Sequence, residues 1–263
     1  MGRLGWNGTL RVLALLLTAF WVAAAVLQAV LISDVTGTPP PPTDVITDDL
    51  MAMFAFDYAR WPIDFASQLL LALGFVALAG IGILLSRLAD DSDERGSLAP
   101  GLFIGAGLLG AAASLIWIGV KPFATFPHYC PCDLRDAELA ARIMILNATG
   151  TATAWLTVGA IVLAALGFLM IVELGRRAGM SRGLTWMTYL AAAAGLVAAV
   201  LGALAEVNGR DDPWGMISDF SAVAVAGILI PLWALWLAIR APELAGPGEM
   251  VGEGEPVGEG LAG

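Results

Sequence analysis

The residues best equipped for chemistry lie in one short stretch. His128, Cys130, Cys132 and Asp133 fall within six positions, in HYCPCD, and include the single histidine and both cysteines of the chain. Three readings of this stretch compete. Cys130 and Cys132 can form a tight disulfide, although so small a ring needs the intervening proline to suit its geometry. His128, Cys130, Cys132 and Asp133 can instead ligate copper or zinc, since thiolate with imidazole suits either metal, but the cysteines stand closer than in the usual zinc pattern. The pair can also exchange disulfides with a substrate, making Cys130 and Cys132 catalytic. It is not a thioredoxin-type CxxC, and no second pair exists to relay electrons. Free or intermolecular thiols complete the alternatives. No cofactor is expected, with copper or zinc as the exception.

A second set of residues is polar without a local motif. Asp57, Asp64, Lys121, Glu206, Arg210, Asp211, Asp212 and Asp219 all flank long apolar runs. Lys121 is the sole lysine. Asp64 and Asp219 come close to hydrocarbon depth, where an ionised carboxylate needs water, a cation or a partner. If Asp57, Asp64, Lys121, Glu206 and Asp219 share one membrane face, they make a shallow polar site there. The plainer reading has the two aspartates capping their helices at headgroup level. Asn147, Thr149, Thr151, Thr153 and Thr157 add a polar face to the fourth run. Each threonine can bond a neighbouring helix or return its hydroxyl to its own backbone.

The elements that must position these residues are apolar runs of spanning length. Of 263 residues, 59% are hydrophobic and only 14% charged, against about 25% charged in soluble domains. Mean hydropathy is +0.81. Six runs, 10–32, 65–85, 98–120, 150–172, 184–205 and 215–239, reach the roughly 20 residues needed to cross about 30 Å of hydrocarbon. They are continuous and rich in alanine and leucine, so they read as helices rather than as alternating barrel strands. The expected fold is an all-α polytopic bundle of about six transmembrane helices. It has a short N-terminus (1–9), a spanning domain (10–240), outer loops at 33–64 and 121–149, and a tail from 241 to 263. That tail is rich in glycine, proline and glutamate and is expected to be disordered and cytoplasmic. The first run is too long for a signal-peptide core and is expected to stay as a span.

Orientation follows from the basic residues. With the N-terminus inside, the inner side holds Arg3, Arg11, Arg87, Arg95, Arg176, Arg177, Arg182 and Arg240; the outer side holds Arg60, Lys121, Arg135, Arg142 and Arg210. Eight against five places both termini in the cytoplasm. In the first outer loop, Pro39–Pro42 should be a stiff polyproline spacer. Asp48 or Asp49 should then cap a short amphipathic helix carrying Met51, Phe54, Tyr58 and Trp61, with the second span entered at Pro62. In the second, Asp133 should cap a helix over 137–145 that can run on into the fourth span. Gly101 and Gly105 form a GxxxG pair that Ala106, Gly110 and Ser114 extend. Ala191, Gly195 and Ala199 give similar spacing on the fifth run.

Function is less legible. A net charge of −10 without a basic stripe argues against nucleic acid. One histidine excludes bis-histidine haem, and no P-loop, dinucleotide fingerprint or HExxH occurs. The sequence favours a non-enzymatic scaffold or partner subunit in the bilayer, in the plasma membrane of a prokaryote, with another membrane protein as its partner. The rivals are an extracytoplasmic thiol-redox or metal-binding protein centred on the cysteine pair, and a small-solute or ion transporter using Asp64, Asp219 and the threonines of the fourth span.

Overall fold

The computed structural model describes residues 5–32, 46–85, 94–125, 136–177, 180–208 and 213–241. Among them every regular element is helical: α1 (Trp6–Ile32), α2 (Ile46–Leu85), α3 (Glu94–Thr125), α4 (Asp136–Arg177), α5 (Arg182–Asn208), α6 (Pro213–Ala224) and α7 (Ile230–Arg240). A π-helical turn, Val225–Leu229, joins α6 to α7, so the last two helices form one interrupted span. Six spans therefore have the length and apolarity to cross a membrane. Their outward surfaces suit lipid. Val76, Leu108, Val197, Val200 and Ile239 are each more than half exposed, a cost that a water-facing bundle would not carry repeatedly.

Consecutive spans pack side by side, α1 on α2, α2 on α3, α3 on α4, α4 on α5 and α5 on α6, and α7 returns to α1. The spans thus close into a ring. Short connections make antiparallel neighbours of successive helices, and helices satisfy their own backbone groups in lipid. α2 and α4, with 40 and 42 residues, would be about 60 Å long and overhang the hydrocarbon by about half their length.

Two details depart from the sequence reading. The segment carrying Phe54, Tyr58 and Trp61 is no separate interfacial helix but the first part of α2, which continues through Pro62. Proline costs a helix one hydrogen bond, a loss that a helix of 40 residues absorbs without ending. Asp48 and Asp49 accordingly stand within the first turn of α2 rather than ahead of it. The sixth run is broken where the sequence shows continuous apolarity. Ile230 N–H bonds the Val225 carbonyl, one residue beyond the α-helical partner. Pro231 has no N–H with which to restore the regular ladder after it.

Glycines set the closest approaches. A Cβ on Gly107 would lie 2.9 Å from the Phe75 carbonyl oxygen, and one on Gly74 would fall inside the Trp21 indole. That indole bonds the Leu71 carbonyl at 3.4 Å and meets Phe75 edge-on at 5.2 Å. By contrast Gly101 faces open space, while Gly105 approaches Leu163. The contact of α3 with α2 therefore runs through Gly107 and Gly110 rather than through the GxxxG pair.

The bundle is packed unequally along its length. At the end where α1 begins and α2 finishes, Phe103, Phe168 and Trp233 stack edge-to-face at 5.3 and 4.7 Å. The Trp233 indole donates to Thr188 Oγ1 at 2.9 Å, and that hydroxyl donates to the Leu184 carbonyl at 2.8 Å. Aromatic burial, with the Trp233 indole and the Thr188 hydroxyl both bonded, seals this end. The other end surrounds a partly open cavity.

Candidate functional site

The stripe that builds the cavity on α2 is Asp57, Arg60, Asp64, Gln68, Leu71, Phe75 and Leu78. Their spacing of three and four places them on one helix face. Along that stripe the chemistry changes from charged to apolar over about 30 Å, at 1.5 Å per residue. α5 supplies a matching stripe of small residues, Ala191, Gly195, Ala198, Gly202 and Ala205, ending in Glu206. Because these side chains are so short, the closed ring of spans leaves its centre unfilled, and about 970 Å³ remains between all six. That volume lies at the upper end of the range for small-molecule sites. Leu78, Phe168 and Ile230 floor the cavity against the aromatic seal.

Its charged end centres on Asp64, which is 5% exposed. Asp64 Oδ2 accepts from Lys121 Nζ at 2.8 Å and from the Trp117 indole at 3.1 Å. Trp117 and Lys121 are one turn apart on α3, so one turn of α3 holds the carboxylate of α2. The ammonium also lies 5.4 Å from the centre of the Trp117 ring, within cation–π range. A buried carboxylate needs such compensation, since desolvation of an unpaired charge is costly. Arg60 lies over the Phe56 ring at 4.7 Å, and its Nε is buried without a hydrogen-bond partner.

Among the described residues, four carboxylates, Asp57, Asp64, Glu206 and Asp219, share the cavity with two cations, Arg60 and Lys121, a formal balance of −2. Hydroxyls and amides line the same region. Thr153 donates to the carbonyls of Thr149 and Gly150, Thr157 donates to that of Thr153, and Gln28 donates to Ser67 Oγ at 2.7 Å. The Thr153 and Thr157 hydroxyls, whose protons go to their own helix, offer the cavity acceptor capacity.

Asp57, Asp64, Lys121, Glu206 and Asp219, named from sequence as one polar group, all line this cavity, as do Asn147, Thr151, Thr153 and Thr157; Thr149 does not. Asp64 bonds a neighbouring span rather than capping its own helix. Gln28, Gln68, Trp117 and Ser218 escaped the sequence reading, which counted Arg60 only for orientation, although the three-and-four spacing of Asp57, Arg60, Asp64 and Gln68 carried the signal. His128, Cys130, Cys132 and Asp133 lie outside the described residues, as do Arg210, Asp211 and Asp212. Among the described residues no group of three or more His, Cys, Asp or Glu is placed to hold a metal. Comparison with protein-family models, with curated proteins and with solved structures finds no match to this chain.

Proposed function

We propose that this membrane protein is a small-solute transporter, with the central cavity as its solute site. The observation that carries this reading is the shape of the bundle: a cavity of about 970 Å³ lined by all six spans, polar toward one end and floored by packed aromatics at the other. A scaffold needs only outward surfaces, and nothing in that role calls for a charged interior, whose groups are costly to bury and mark substrate or ion paths in membrane proteins. The π-helical turn in the sixth span, several of whose residues line the cavity, supports the same reading, because such turns recur at functional sites. With both termini in the cytoplasm, as the basic residues suggest, the charged end faces outward; the plasma membrane of a prokaryote is the proposed location.

Proteoliposomes offered labelled alkylamines, carboxylic acids and sugars test this directly. Uptake or exchange of at least one class is expected, falling at least tenfold in Ala198→Phe, which fills the cavity from α5 without touching a charge. A blank across the panel, or uptake that Ala198→Phe leaves unchanged, contradicts the reading.

A further inference from the structure

The groups around Asp64 have the makings of an ammonium receptor. A carboxylate oxygen, an indole N–H bound to that same oxygen, and the face of the indole ring surround one cation. Carboxylate charge and an aromatic face are the two means by which proteins hold ammonium groups. In this structure the cation is the protein's own Lys121 Nζ. Of the paired side chains, that of Lys121 is the more exposed, 16% against 7% for Asp64. Its flexible four-carbon stem lets the ammonium leave without disturbing α3.

The rest of the cavity matches the same class of ligand. Among the described residues that line it, carboxylates outnumber cations four to two, which favours a positive head group over a negative one. Deeper in, Ala164, Ala165, Ala191, Gly195 and Ala198 leave apolar room for a body that makes no hydrogen bonds. We infer that the solute is a protonated amine with an apolar body, and that its ammonium takes the place of Lys121 between Asp64 and Trp117. Lys121 is then a tethered competitor that occupies the receptor until the solute displaces it. The inference rests on the cavity being a solute site and adds its chemical class.

The test uses n-hexylammonium as probe, with n-hexanol and n-hexanoate as controls, on purified protein in nanodiscs. Lys121→Met keeps the length and apolarity of the stem but removes the competing charge. It should bind hexylammonium at least tenfold more tightly than the wild type, with a Tm that rises with probe concentration by mass action. The double change Asp64→Asn with Lys121→Met should lose that response, and neither control should reproduce it. Equal hexylammonium affinity in wild type and Lys121→Met, or an unchanged response in the double variant, overturns the inference. If Lys121→Met does not fold, Lys121→Gln, which can still donate to Asp64, is read by the same criteria. Binding of hexanol or hexanoate that disappears in Ala198→Phe would refute the amine class while leaving the solute site standing. No binding of any probe to the wild type or the lysine variants would remove both.

Discussion

Asp64 shows how much of the site one residue can reveal and where that stops. Its sequence position, just inside an apolar run, marks a carboxylate in need of a partner. The identity of that partner depends on α2 and α3 meeting in one register, which no local pattern encodes. Lys121 and Trp117 supply it from 57 and 53 residues away. Thr188 gives a parallel case at the sealed end. On sequence it is one more hydroxyl in an apolar run, yet it is fully buried and accepts the Trp233 indole proton. Thr188→Val keeps the shape and strands that N–H, so thermal unfolding in detergent should show a loss of about 1–2 kcal/mol. Unchanged stability would mean that the indole finds another acceptor, and that the seal depends on ring stacking alone.

Helices were the most legible level, because spanning length is a property of one segment read alone. All six spans could be found that way. What the segments do to one another was less visible. The GxxxG pair of Gly101 and Gly105 is conspicuous in the sequence, but the structure puts the intimate contact of α2 and α3 at Gly110, which the small-residue series includes, and at Gly107, which it does not. In a chain with 31 glycines, small-residue spacing does not say which face is used. The difference is measurable. Gly107→Ala places a methyl against a backbone oxygen, which no rotamer change can relieve, and should destabilise by about 1–3 kcal/mol. Gly101→Ala meets nothing within 4 Å and should be neutral or slightly stabilising, by up to about 1 kcal/mol from helix propensity. Equal effects of the two changes would contradict this helix packing. The π-helical turn was hidden for a related reason: Val225–Leu229 is as apolar as its neighbours, and only the missing N–H of Pro231 hints at a break.

At the scale of the whole molecule, the small residues that let helices approach also keep them from filling the centre. Alanine and glycine on α5 serve both ends, which is why composition alone could not distinguish a tight bundle from a hollow one. Asp57, Asp64, Lys121, Glu206 and Asp219 share one cavity only because the ring of spans brings α2, α3, α5 and α6 around it. Cysteine labelling reads that arrangement most directly. In a background carrying Cys130→Ser and Cys132→Ser, Ala154→Cys and Ala198→Cys lie on the cavity wall, whereas Val197→Cys, at a position 58% exposed on the outer face of α5, faces lipid. A small water-soluble thiol reagent applied to cells or oriented vesicles should modify the first two and spare the third, since thiols in hydrocarbon neither ionise nor meet the reagent. Labelling of Val197→Cys with protection of Ala154→Cys and Ala198→Cys would turn the bundle inside out and contradict the account.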